Sequence, residues 1–205
     1  MSTTERIVDI VAVVVISFAT IATAWCGYQA ARWSALQTLS YHEANDAQIA
    51  SAEMSNRSII RRADDLQVFL QYEAAAFGGD AKLAKFLYDR FPPELKSATD
   101  AWLKSNPFVN RHAPLSPFSL PRMYHLATDE QAARDAARAN DLVSEAVAAN
   151  DRSDRYILLT VLFASSSFLG GLSVKLRPPF SAIVLALAAC ALLASSATMA
   201  VSPVR

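Results

Sequence analysis

Hydrophobic and polar positions are spread unevenly along the chain. Three stretches hold no charged residue: Ile10–Ala31 with 22 residues, Tyr156–Val174 with 19 and Pro178–Val204 with 27. A bilayer core of about 30 Å is crossed by roughly 20 apolar residues in a helix. Each stretch therefore predicts a transmembrane helix, bounded at 7–28, 156–174 and 180–201. The first has its apolar body at Ile7–Ala24, with Asp9 near its start. Trp25, Tyr28 and Trp33 follow it, where indole and phenol rings suit the headgroup boundary and Arg32 can snorkel beside them.

The region between the first two spans reads as helix. No proline falls between Tyr28 and Phe77, and Ala, Gln, Glu, Arg and Leu dominate. The first membrane helix is predicted to continue as a long helix over 29–77 and to stop at Gly78-Gly79. Asp80 caps a short helix, Ala81–Arg90, and Pro92-Pro93 open another through about Lys104. Pro107, Pro114, Pro117 and Pro121 make the following segment an irregular loop. Thr128-Asp129-Glu130-Gln131 fits a capping box that starts a return helix over 128–155, with no breaker before Gly170. Small residues at Ala132, Ala136, Ala139, Val143, Ala146 and Asn150 face Ser40, Ala44, Ala47, Ser51 and Met54 at matching spacing, which allows close helix approach. Over 78–127 a small cap is expected. Its core sets the stripe Ile59, Ala63, Leu66, Leu70 and Phe77 against Phe69, Phe86, Leu87, Phe91, Trp102, Leu103, Phe108, Phe118 and Met123. The fold class expected is an all-α membrane protein: three transmembrane helices, with a long extramembrane helical hairpin and small helical cap between the first and second.

Charge sets the expected orientation. The loop 175–179 carries Lys175 and Arg177 with no acidic partner, which favours the cytoplasm. Three spans then place the N-terminal tail 1–6, with Arg6, on the same side. The polar region and the tail 202–205 fall on the other, periplasmic side. Arg32, Arg152 and Arg155 argue the opposite way. Ala22-Thr23-Ala24 resembles a signal-peptidase site, but Glu5 and Asp9 offset Arg6, so an uncleaved anchor is expected, and both readings export the polar region.

Composition narrows the function classes. Of 205 residues, 53% are hydrophobic and the net charge is zero, with no long basic run, so no nucleic-acid partner is expected. Cys26 and Cys190 sit at different expected depths, which disfavours a disulfide. His42 and Asp46 stand one helical turn apart, only half a metal site, and no metal or other cofactor is expected. No nucleophile elbow, Walker loop, zinc-protease helix or dinucleotide fingerprint occurs, so enzymatic activity is not expected. Apart from Asp9, the spans lack the carboxylates, His or Arg that mark ion pathways. Their hydroxyls (Ser17, Thr20, Thr23, Thr160 and Ser165–Ser167) read as helix glue. Ser167 and Gly171 form a small-xxx-small pair. Ala182, Ala186, Cys190, Ala194 and Thr198 form an i+4 row that predicts a packing seam against another span or subunit.

Two boundary segments are the most specific local feature. Trp25, Tyr28, Gln29, Arg32 and Trp33 on one helix should lie level with Asn150, Asp151, Asp154, Arg155 and Tyr156 on another. They are expected to form a clamp at the membrane interface, with Arg32 paired to Asp151 or Asp154 and Gln29 to Asn150. The stretch Ala-Trp-x-Gly-Tyr-Gln-Ala-x-Arg-Trp-Ser, a long polar helix, and then Asn-Asp-Arg-Ser-Asp-Arg-Tyr entering a span resembles a group of uncharacterised bacterial inner-membrane proteins. The resemblance covers most of the chain in order and layout. It implies a bacterial inner membrane and helical architecture, and no activity or cofactor. The expected function is an interaction or accessory subunit of an inner-membrane assembly. Its partners would be the lipid bilayer and a homo-oligomer or another membrane protein. Two rivals are a ligand-sensing module without its own output domain and a small oligomeric channel lined by span hydroxyls.

Overall fold

The computed structural model describes residues 3–107, 109–119, 124–176, 180–202 and 204. Among them the regular elements are helical: α1 (Thr3–Phe77), α2 (Ala81–Tyr88), α3 (Pro93–Leu103), α4 (Ala127–Ser173) and α5 (Phe180–Ala200), with a 3-10 turn at Pro117–Ser119. Three of them, α1, α4 and α5, are long and apolar enough to cross a membrane. Pro178 and Pro179, and Arg177 of the basic loop, lie outside the described residues, as do Phe108, Met123 and Pro121.

The breaks fall where backbone chemistry demands them. α1 contains no proline. It ends where Gly79 takes φ of 81°, a left-handed conformation that side chains resist. The Asp80 amide donates to the Ala75 carbonyl at 3.0 Å across that turn. Asp80 then caps α2, accepting from the Leu83 amide at 3.0 Å, and α2 closes at Tyr88 rather than Arg90. Pro93 sits in the first turn of α3, where a missing N–H costs nothing. α4 starts at Ala127, a residue ahead of the expected cap. The Thr128 hydroxyl is instead hydrogen-bonded to Ser58 at 2.5 Å. α4 also runs through Gly170-Gly171 to Ser173.

The chain divides into two compact units, Met1–Glu43 with Asp141–Arg205, and Ala44–Asn140. In the first unit α1 and α4 run antiparallel. A Cβ on Gly170 would meet Ile16 Cγ1 at 3.1 Å and Val15 Cγ1 at 3.5 Å, and Ser153 Oγ donates to the Ala30 carbonyl at 3.1 Å. The close approach is thus at Gly170 and not at Gly171, whose α-carbon faces open space. Ala22, Cys26, Trp33, Ala149, Tyr156 and Phe163 form the core, with Leu192 and Met199 of α5 packed on it. Ser40 and Ala146 are buried as expected of the small-residue seam, whereas Val143 is exposed.

In α5 the i+4 row is not the face packed on the other spans of the same chain, and the alternative expectation, a seam against another subunit, is unaffected. The buried residues of α5 are Ser181, Leu185, Ala188 and Ser195, while Ala182, Ala186, Cys190, Ala194 and Thr198 are all exposed. The cause is helical pitch. An unbroken i+4 row drifts by about 40° at each step, whereas the mixed spacing of the buried set keeps to one line. Several of the span hydroxyls expected to glue helices together bond their own helix instead. Ser17 bonds the Val13 carbonyl at 2.7 Å, Thr20 that of Ile16 at 2.8 Å, Thr160 that of Tyr156 at 2.9 Å and Ser165 that of Val161 at 2.8 Å.

In the second unit, Phe69 centres an aromatic core. Its ring meets Trp102 edge-on at 5.3 Å and Phe118 at 5.8 Å. Phe91, Leu95, Tyr124 and Leu126 complete the cluster. The Trp102 indole donates to the Pro114 carbonyl at 2.7 Å, pinning the proline-rich segment. Ala132 and Ala139 are buried beside Ala44, Ala47 and Ser51, and Ser51 Oγ donates to the Ala132 carbonyl at 2.9 Å. The expected core stripe is overturned: Ile59 is 66% exposed, Leu66 42%, Leu70 53% and Phe77 67%. The face of α1 that is buried carries Ser58, Asp65 and Phe69. It wins because both polar members find partners on the opposing segment. Phe86 is also left outside, beneath the Arg90 guanidinium.

Candidate functional site

The boundary residues of the first unit form a brace different from the clamp expected. Trp33 is buried, and the Arg152 guanidinium lies 4.6 Å above its ring, within cation–π range. Gln29 is fully buried and Cys26 sits 3.8 Å from the Met199 sulfur. Tyr156 is buried, with its hydroxyl 3.5 Å from the Ser202 carbonyl. Residues of α1, α4 and the α5 end thus meet at one level. Trp25 and Tyr28 point outward, their rings 5.9 Å apart, as suits a headgroup layer.

The ion pairs expected of Arg32 do not form. Asn150 donates to Asp154 at 3.0 Å within α4. Among the described residues no ion pair joins Arg32 to Asp151 or Asp154, and Arg32, Asp151 and Arg155 are exposed. The contacts that sequence reasoning missed are Arg152 and Ser153. Their signal was present: Ala146, Ala149, Ser153 and Tyr156 continue one buried helical line at spacings of 3, 4 and 3.

The polar groups of the second unit are structural ties. Tyr124 donates its phenol proton to Asp65 at 2.8 Å, and Arg61 approaches the other carboxylate oxygen at 3.5 Å. Arg62 reaches Asp129 at 2.9 Å. Burial, the hydrogen bond and the Asp65 charge hold the Tyr124 phenol well above its ordinary range. Between α2 and α3, Tyr88 donates to Asp100 while Lys96 lies 4.8 Å over its ring. That hydrogen bond, then burial and the Asp100 charge, pushes the Tyr88 phenol up to about 12. An open groove of about 500 Å³ runs past Tyr72, Tyr88 and Leu103. The charged groups at its rim, Lys85 and Asp89, already pair at 2.8 Å, and the hydrogen bond from Lys85 lowers the Asp89 carboxyl pKa.

His42 and Asp46 are exposed, and His125 contacts Glu130 at 2.8 Å. Among the described residues no group of three or more His, Cys, Asp or Glu side chains is placed to hold a metal ion. The most conspicuous surface of the second unit is instead the exposed line Ile59, Leu66, Leu70 and Phe77 on α1. No family model matches the sequence, and neither a curated protein nor a solved structure matches it.

Proposed function

We propose that the chain is a three-pass bacterial inner-membrane protein. Its helical region between the first and second spans faces the periplasm and serves as an interaction or accessory subunit of a membrane assembly. The observation that carries this reading is the exposed apolar line Ile59–Phe77. It lies outside the membrane-length apolar stretches, on a unit that has a separate aromatic core. Large exposed apolar side chains aligned on one face mark contact surfaces in proteins. The ligand-sensing reading has the groove beside Tyr88 in its favour, but the charged groups at its rim are paired with each other. The channel reading draws less support, because several hydroxyls it would use bond their own helix.

Cysteine labelling tests location and orientation. With Cys26 and Cys190 replaced by Ala, single cysteines at the exposed positions Ser97 and Lys175 are probed on intact spheroplasts with a membrane-impermeant thiol reagent. Modification at 97 and protection at 175 is the expected result. Protection at 97 with modification at 175 puts the helical region in the cytoplasm. Modification of neither in spheroplasts and of both after lysis removes the membrane-spanning reading.

A further inference from the structure

We infer that the face of α1 running from Phe18 to Arg32 is a binding site for one anionic glycerophospholipid. The inference rests on the membrane reading above and names a ligand for the boundary of the first span.

Phe18, Ile21, Trp25, Tyr28 and Arg32 follow one another at spacings of 3, 4, 3 and 4 and are all exposed, so they share one face of the helix. The N-terminal half of this face is a groove. Phe18, Ile21, Ala22 and Trp25 of α1 and Met199 of α5 line about 310 Å³. Ala22 is buried and leaves a dent between larger neighbours, and the Met199 sulfur rests 3.8 Å from that of Cys26. From Phe18 to Trp25 the helix rises about 10 Å, a length that takes the upper part of one acyl chain. These α1 residues belong to a charge-free stretch of membrane length. In a bilayer such a stretch is surrounded by acyl chains.

The C-terminal half supplies headgroup chemistry. The Trp25 and Tyr28 rings, 5.9 Å apart, suit the level where tails give way to headgroups. Arg32 is the first charge beyond them, since residues 10–31 carry none. Side chains of a helix lean toward its N-terminus, so the Arg32 stem returns toward the headgroup layer. Among the described residues Arg32 joins no ion pair. The next acid on α1 is Glu43, eleven positions on, and Asp154 of α4 accepts from Asn150. A guanidinium without a carboxylate suits a phosphate, which it can grip with two N–H groups. A zwitterionic headgroup brings its own cation, so a lipid of net negative charge fits better.

The test uses the full-length protein in detergent micelles. It is titrated with phosphatidylglycerol or phosphatidylcholine carrying the same brominated tails, and quenching of tryptophan emission is read. Trp25 lines the groove, whereas Trp33 and Trp102 are buried. Phosphatidylglycerol should bind about fivefold more tightly, the worth of one basic side chain at an anionic surface. Arg32→Gln should erase that preference, Arg6→Gln at the other end of the span should keep it, and Trp25→Phe should lose most of the quenching. Equal loss in the Arg6 and Arg32 variants overturns the site. Displacement of the lipid by tail-free glycerol phosphate at similar concentration makes it a site for a free anion and overturns the lipid. Release of the chain from its membranes by alkaline carbonate overturns the membrane reading itself. Retention there with no headgroup preference in the micelles overturns the lipid site alone.

Discussion

Asp65 shows how one side chain decides which face of a helix is buried. Only 3% of it is exposed, and a carboxylate there is tolerable only with partners. Tyr124 and Arg61 supply them. Tyr124→Phe removes the phenol donor and should destabilise the protein by about 1–3 kcal/mol in denaturant unfolding, whereas Tyr124→Phe with Asp65→Leu should cost less than the single change. Additive costs would show that the pair is not coupled. Tyr88 gives a pH signature. Its folded phenol titrates at about 12, against about 10 in an unfolded chain. Above pH 10 the unfolded state releases this proton while the folded state keeps it, so stability falls as pH rises from about 10 to about 12. Melting temperatures of wild type and Tyr88→Phe across that window should converge. Parallel curves would remove Tyr88 as the cause.

The helices differ in how clearly residues announced them. α1 was legible because it lacks proline and meets Gly78-Gly79, and the starts of α2 and α3 followed from Asp80 and Pro93. The face α1 would bury was not legible. Hydrophobicity favoured Ile59, Leu66 and Leu70, but Ser58 and Asp65 were buried by partners about 60–70 positions away in the chain. The α5 row lies off the face packed within the chain for another reason, since i+4 spacing alone spirals off any single face. In the spans, Gly170 rather than Gly171 faces the opposing helix closely. Gly170→Val should overpack against Ile16 and Val15 and cost about 1–3 kcal/mol. Thermal unfolding in detergent should show that loss, with Gly171→Val near wild type. Equal effects at both positions would mean that valine's helix propensity, not packing, is responsible.

Organisation along the chain was the most readable property, because charge-free runs of membrane length leave little choice of element. The candidate site was read only in part. Trp33, Gln29 and Tyr156 are buried at the boundary, but Arg152 rather than Arg32 is the cation engaged there. The difference bears on orientation. Arg152 has a task on Trp33 whichever side it faces, so it is a poor vote against the outward reading. Lys175, with no acidic neighbour in its loop, votes on topology alone. Modification at 97 with protection at 175 is the outcome this charge balance predicts. The self-bonded hydroxyls add a consequence for biogenesis. Ser17, Thr20, Thr160 and Ser165 each carry an acceptor on their own helix. None of these four has to find a donor or acceptor on another span before meeting lipid. As far as these groups are concerned, each helix is free to leave the insertion machinery singly, and the bundle can assemble afterwards.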